Sequence, residues 1–166
     1  MKQNTSIKEQ VLHPEQSAKA EPVNTHTDAG AAGDPDKCTE ELDERICAAL
    51  RAASDKKAVD IVVLDLREIA SFTDYFIITS GTNVRQVQAI ADAVVDDLKK
   101  QGTRAARVEG YNTAEWVLVD YGDFIVHVFE DKARKFYDLE RLWRDAVRVA
   151  LPADVTGTEG SLRSES

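Results

Sequence analysis

The chain has 166 residues and a formal net charge of −9, enough length for one domain with a buried core. The acidic charge is spread along the chain, which argues against a phosphate-backbone interface, because such an interface needs a concentrated basic face. The charge therefore favours a basic protein partner or no charged partner, and no direct sequence-specific contact with nucleic acid is expected.

Both ends of the chain are poor in periodic apolar residues. Residues 1–37 are rich in Gln, Asn, Thr, Ala, Asp, Gly and Pro, and such a segment cannot bury enough surface to offset its ordering entropy. We predict a disordered extension over residues 1–37 and a disordered acidic tail over residues 152–166. One folded domain, residues 38–151, lies between them.

Periodic apolar residues in this domain predict a mixed sheet with helices. Thr39 is expected to cap a first helix, and Asn83 with Gln86 forms a predicted capping box for a second helix. Apolar runs predict strands at 59–66 and 75–79, a short strand at 104–109 and a hairpin after it. The order predicts an α/β (α+β) fold, a mixed five-stranded sheet with flanking helices. A final helix from about residue 132 is predicted to bury one stripe: Phe136, Leu139, Leu142, Trp143, Ala146, Val147 and Ala150.

The predicted hairpin at residues 116–129 indicates a surface as well as a fold. If Tyr121-Gly122 forms a two-residue loop, Trp116 faces His127 across the hairpin. One face is then a core face, with Val117, Val119, Phe124, Val126 and Val128. The other face mixes large apolar and polar side chains: Trp116, Leu118, Asp120, Asp123, Ile125, His127 and Phe129. This second face is either covered by a helix or offered to a protein partner.

The segment Ser80-Gly81-Thr82-Asn83 lies between a predicted strand and a predicted helix. Backbone N–H groups at such a turn bind phosphate in some proteins, but a helix cap explains the residues more simply. A nucleotidyl-transfer enzyme would also need a close acidic pair on a following strand, and residues 104–108 supply none. We predict no metal site and no cofactor.

His127 is the only histidine inside the predicted domain. Nucleophilic catalysis would need a Ser or Cys that it activates, and no G-x-S-x-G elbow is present. We interpret His127 as structural or interfacial and expect no enzymatic activity.

Two further features concern the cellular compartment. The N-terminus has no apolar signal stretch and no run approaches the roughly 20 apolar residues that span a bilayer. Cys38 and Cys47 form no metal-ligand motif, and their separation along the predicted first helix, about 13 Å, is too long for a disulfide. We expect reduced thiols, a cytoplasmic location and no membrane contact.

Successive blocks of the domain resemble one protein family. The blocks are Thr73-Asp74-Tyr75-Phe76-Ile77-Ile78, Ser80-Gly81-Thr82-Asn83-Val84-Arg85-Gln86-Val87, Glu109-Gly110, Ala114-Glu115-Trp116-Val117-Leu118-Val119-Asp120-Tyr121-Gly122-Asp123, His127-Val128-Phe129, Arg134, Phe136-Tyr137 and Leu139-Glu140-Arg141-Leu142-Trp143. Over residues 40–149 they resemble the ribosomal silencing factor family, also called Iojap-like.

The resemblance implies a binding protein without catalysis, on a nucleotidyltransferase-like topology that lacks the catalytic acids. Members of the family dock on the large ribosomal subunit through its ribosomal protein fourteen, block joining of the small subunit and repress translation when nutrients are scarce. The family motif implies that five hairpin residues bind the partner, and the hairpin face and last helix add two more. The full set is Trp116, Leu118, Asp120, Tyr121, His127, Phe129 and Tyr137.

Our leading hypothesis is therefore a ribosome anti-association factor. The alternative is a nucleotide-binding or nucleotidyl-transfer enzyme that uses the Gly81 turn, and a nucleotide titration with magnesium separates the two. A homodimer off the ribosome is compatible with the leading hypothesis, because an apolar patch tends to pair with itself when its partner is absent.

Overall fold

Six strands form one mixed sheet in the computed structural model, which describes residues 7–14 and 42–155. The elements are α1 (Ile7–Leu12), α2 (Glu44–Asp55), β1 (Val59–Asp65), β2 (Tyr75–Gly81), α3 (Val84–Lys100), β3 (Arg107–Glu109), β4 (Trp116–Asp120), β5 (Phe124–Glu130), α4 (Asp131–Tyr137), α5 (Leu139–Leu142), β6 (Val147–Val149) and a short 3-10 turn (Ala153–Val155). The strand order is β3-β4-β5-β2-β1-β6. Strands β2 and β5 are parallel, and the other neighbours are antiparallel. The predicted α/β class with a mixed sheet is confirmed, but the sheet has a sixth strand.

Helices α2 and α3 cover one face of this sheet with their apolar stripes. The Asn83 side chain caps α3 by accepting a hydrogen bond from the backbone N–H of Gln86, as predicted. Helix α2 begins later than predicted, because the Asp43 side chain is its cap and accepts from the N–H groups of Arg45 and Ile46. Thr39 lies outside the described residues.

Cys47 lies in α2 and is disulfide-bonded, so the expectation of a reduced thiol is wrong for it. That expectation assumed that Cys38 and Cys47 lie on one helix, about 13 Å apart. Helix α2 begins at Glu44, so Cys38 is not on it and the helical distance does not apply. Cys38, the other cysteine of the sequence, lies outside the described residues.

Strands β4 and β5 form the predicted hairpin with a different register. Trp116 pairs with Phe129 rather than with His127. The N–H of Tyr121 donates to the carbonyl of Phe124 at 2.9 Å, so the loop consists of residues 122–123. Because side chains alternate across a strand with a period of two, this shift of two residues leaves the predicted strand residues on the same faces. Asp123, predicted on the second face, lies in the loop and pairs with Arg45 of α2.

The predicted final helix is wrong beyond its first turns. Asp138 has a φ of 50° and separates α4 from α5, and Val147–Val149 is strand β6, paired with β1. The predicted stripe is accordingly divided, with Phe136 78% exposed and Val147 64% exposed. The apolar residues up to Ala150 keep a helical spacing, but residues 147–149 form a strand because they pair with the edge of β1.

Short segments cover the second face of the sheet: α1, α4, α5 and the loop at residues 66–72. The prediction of disorder is wrong for residues 7–14, because Val11 is fully buried on this face. It is also wrong for residues 152–155, where Val155 is buried against the first face. In both places a few apolar side chains dock on the sheet, which local composition cannot reveal. The rest of residues 1–37 and of the predicted tail lies outside the described residues.

Gly110 permits the loop before β4 to pass close to that strand. Its φ is +81°, and a Cβ atom there would lie 2.2 Å from the backbone oxygen of Trp116. We expect Gly110→Ala to lower the free energy of unfolding by about 3 kcal/mol or more, because the backbone must move. Gly102→Ala is the matched control, since its φ is +92° with nothing within 4 Å, and it should cost about 1 kcal/mol. Urea unfolding measures both, and equal losses would contradict a tight approach at Gly110.

Candidate partner-binding face

Aromatic side chains concentrate on the second face of the hairpin. The Trp116 ring stacks on Phe129, with centroids 5.2 Å apart, and contacts Tyr137 of α4 at 4.7 Å. Trp143, just after α5, packs edge-on against Phe76 of β2 at 5.4 Å. We call the set Phe76, Trp116, His127, Phe129, Tyr137 and Trp143 the aromatic face.

His127 is the polar centre of the aromatic face. Its ring is fully buried, and its Nδ1 accepts a hydrogen bond from Trp116 Nε1 at 3.1 Å. A neutral imidazole that accepts at Nδ1 carries its proton on Nε2, and this atom has no hydrogen-bond partner among the described residues. Burial, with a smaller contribution from the positive charge of Lys8, lowers the pKa of His127 to about 3. His127 is thus a neutral structural group at physiological pH.

Helix α1 covers the aromatic face from the solvent side. Lys8 Nζ donates to the backbone oxygen of Trp116 at 2.8 Å and lies 4.6 Å from the centroid of its ring. Trp143 Nε1 donates to the carbonyl of Val11 at 2.8 Å. Trp116 is only 3% exposed. The sequence left open whether this face is covered by a helix or offered to a partner, and in the structure a helix covers it.

Two opposing effects act on the positive charge of Lys8. Burial lowers its pKa, while the negative charges of Glu109 and Glu115 act in the opposite direction. A cation over an indole ring is attracted by the electron density of the ring face. The Trp116 ring and the two carboxylates thus surround the basic side chain of Lys8.

The structure brings together five of the seven predicted site residues; Asp120 lies on the same face at the turn end of β4, and Tyr121 lies on the opposite face. Leu118 is fully buried beside His127 in the sheet, on the same face as Trp116, Phe129 and Tyr137. The Asp120 carboxylate is used in the hairpin, where it accepts from the N–H of Gly122 at 2.8 Å.

Tyr121 lies on the opposite face of the sheet. Its ring stacks on Phe124 at 4.9 Å, and its hydroxyl has no hydrogen-bond partner among the described residues. Burial raises the pKa of the Tyr121 hydroxyl to about 12. A partner on the aromatic face would not contact this side chain.

The contribution of α1 to the aromatic face has only a weak signal in the sequence. Lys8 and Val11 stand in a segment of low apolar content, and Ile7 with Val11, at i and i+4, was the one helical signal available. Trp143 was predicted as a core residue and is one, but on the side of the sheet where α1 docks.

The turn at residues 80–83 is a helix cap. Gln86 Oε1 accepts from the Thr82 N–H at 2.7 Å, and Asn83 Oδ1 accepts from the Gln86 N–H at 2.8 Å. Gly81 lets α3 approach, since a Cβ atom there would lie 3.1 Å from the Val87 nitrogen. These N–H groups already have acceptors, so the geometry favours the cap over a phosphate site.

The described part of the chain lacks the features of two other kinds of site. Residues 7–14 and 42–155 contain no cluster of three or more His, Cys, Asp or Glu side chains arranged to hold a metal ion. In the same part of the chain, no helix has the length and apolar character needed to cross a membrane.

The buried neutral state of His127 predicts a pH dependence of stability. Its pKa is about 3 in the folded chain against 6.5 for the free side chain, so the unfolded state binds the extra proton between these values. As the pH is lowered below 6.5, the free energy of unfolding should therefore decrease, and this group should contribute about 1.4 kcal/mol per pH unit to the decrease. His127→Asn keeps an acceptor for Trp116 Nε1 but does not titrate, and should lack this contribution. Urea unfolding of both proteins from pH 7 to pH 4 tests it, and parallel curves would contradict it.

Comparisons with known proteins agree on one family. A sequence model described as "Ribosomal silencing factor during starvation" matches residues 39–165. A protein of Halalkalibacterium halodurans named "Ribosomal silencing factor RsfS" is 44% identical over 108 residues, which are 65% of this chain and 92% of the relative. "Mitochondrial assembly of ribosomal large subunit protein 1" of mouse is 33% identical over 53% of this chain and 40% of that protein. A crystal structure of protein CV0518 from Chromobacterium violaceum has 35% identity and a TM-score of 0.60, covering 69% of this chain and 94% of the other. The resemblance seen in the sequence is thus confirmed, and the chain belongs to the ribosomal silencing factor family.

Proposed function

We propose that this protein is a ribosome anti-association factor. It binds the large ribosomal subunit through large-subunit ribosomal protein fourteen, prevents the small subunit from joining and represses translation under nutrient limitation. Membership of the silencing factor family carries the proposal. The name of the mouse relative, which refers to assembly of the ribosomal large subunit, supports the choice of subunit.

Five of the seven residues predicted from the sequence form the proposed binding surface: Trp116, Leu118, His127, Phe129 and Tyr137. Asp120 and Tyr121 are not part of it, because Asp120 accepts from the N–H of Gly122 and Tyr121 packs on the opposite face of the sheet. Of these, Tyr137 is half-buried and lies against the Trp116 ring, so we expect Tyr137 to contact the partner most directly. Aromatic anchors of this kind dominate binding energy at protein interfaces. Leu118 and His127 support these rings from below.

Charge complementarity supports a basic ribosomal protein as the partner. The chain carries a net charge of −9, and the negative charges of Glu109 and Glu115 act on Lys8, which lies over Trp116. A basic partner would be attracted by these negative charges, and attraction between opposite charges speeds encounter at low salt.

The action is steric occlusion and not catalysis. The pKa of His127, lowered to about 3 by burial, makes it a poor general base at neutral pH. The cap at residues 80–83 uses the donors that a nucleotide phosphate would need. The protein needs no cofactor for occlusion and would work in the cytoplasm, where the subunits join. A homodimer off the ribosome stays a prediction.

Binding to purified large subunits tests the proposal. Tyr137→Ala should weaken co-sedimentation by about thirtyfold, equivalent to about 2 kcal/mol, if the ring is an anchor. Tyr111→Ala is the matched control, because Tyr111 is also partly buried but contacts Asp92 of α3. Light scattering should show that the wild-type protein prevents subunit association and that Tyr137→Ala does so less well.

Failure of the wild-type protein to bind large subunits would contradict the proposal. Equal losses of binding affinity in Tyr137→Ala and Tyr111→Ala would show that the aromatic face is not the binding surface. Micromolar binding of a magnesium nucleotide, lost on Gly81→Ala, would favour the alternative enzyme class.

A further inference from the structure

Helix α1 docks where both tryptophans of the chain lie. Lys8 contacts the Trp116 ring and its backbone oxygen, and Val11 accepts a hydrogen bond from Trp143 Nε1. The Val11 side chain is fully buried, while Ile7 and Leu12 are partly buried against the same cluster. These are the contacts that a separate peptide would make with the aromatic face.

The cover and the face belong to different parts of the chain. The match to the silencing factor family begins at residue 39, and α1 ends at Leu12. The aromatic face is therefore built by the family domain, whereas its cover comes from the N-terminal extension.

Helix α1 has little stability of its own. Its six residues are fewer than an isolated helix needs in water, so it is helical only while docked. Burial removes water from the charged Lys8 side chain, which is unfavourable. The negative charges of Glu109 and Glu115 offset part of this cost. Ordering and desolvation thus oppose the apolar contacts of Val11, and the docked state is one that a competitor can displace.

We propose that α1 is an intramolecular pseudo-ligand. It occupies the aromatic face as a basic, aliphatic segment of the large-subunit partner would, and it leaves when that partner binds. The partner places a Lys or Arg over Trp116, near Glu109 and Glu115, and a branched aliphatic side chain where Val11 lies. This inference rests on the proposed function, because the partner is the large subunit.

The extension then sets the apparent affinity for the ribosome. A tethered segment competes at a high effective concentration, and the apparent dissociation constant rises in inverse proportion to the open fraction. If α1 is docked about nine-tenths of the time, opening it should tighten binding about tenfold.

Val11→Asp in the full chain opens the cover without changing the aromatic face. His13→Asp is the matched control, because it adds the same charge at an exposed position beside α1. The two tryptophans report opening directly, since both contact α1, and we expect red-shifted emission and stronger acrylamide quenching in Val11→Asp only. Binding to purified large subunits should tighten about tenfold in Val11→Asp and stay unchanged in His13→Asp. Ile7→Asp is a second opening variant if Val11→Asp unfolds the domain, as judged by far-UV circular dichroism.

A second pair of variants tests the chemistry of the partner. In the Val11→Asp background, Glu115→Gln should weaken binding to large subunits severalfold, because the incoming cation loses a carboxylate. Glu44→Gln, an exposed change on α2 across the sheet, should leave binding unchanged.

The outcomes separate this proposal from the proposed function. Wild-type binding as tight as that of an opened variant overturns the pseudo-ligand while the function stands, and weaker binding by the opened variant would make α1 part of the interface instead. Unchanged tryptophan emission in both opening variants also overturns the pseudo-ligand. Equal effects of Glu115→Gln and Glu44→Gln overturn the basic partner segment. If neither wild type nor opened variants bind large subunits, the proposed function fails and the pseudo-ligand with it.

Discussion

The parallel pairing of β2 with β5 is the constraint on which the rest of the structure depends. It runs from Tyr75 beside Phe124 to Gly81 beside Glu130 and joins the first half of the domain to the hairpin. Apart from Glu130, every residue of these two strands is buried, so the sheet must be covered on both faces. Two long helices cover one face, and only short segments cover the other.

The second face of the sheet has a thin cover over well-packed aromatic rings. The Trp116–His127 hydrogen bond and the stacking on Phe129 hold the rings in place below. Above them lie α4 and the six-residue helix α1. The side chains of this face pack against each other as well as against α1, so their arrangement does not depend on α1 alone.

Sequence reasoning succeeded where the signal was local. Asn83 caps α3 as predicted, and the faces of the hairpin are as predicted although Trp116 pairs with Phe129. It failed where a distant strand decided the outcome: Val147 lies on a predicted helical stripe but pairs with Asp65 in the sheet. It placed Tyr121 in the binding set by family resemblance, whereas the ring packs with Phe124 on the opposite face.

The sequence by itself determined the class of fold and the division of the hairpin into two faces, because both follow from the spacing of neighbouring residues. The family followed from the resemblance of successive sequence blocks and not from spacing. Only the tertiary structure decided which side chains are covered and by what. Val11 lies with Ile7 and Leu12 in an otherwise polar segment, and nothing in the neighbouring sequence indicates that Trp143 will donate a hydrogen bond to the Val11 carbonyl. Contacts between residues far apart in the chain depend on the assembled sheet, so the cover of the aromatic face became visible only when the strands were in place.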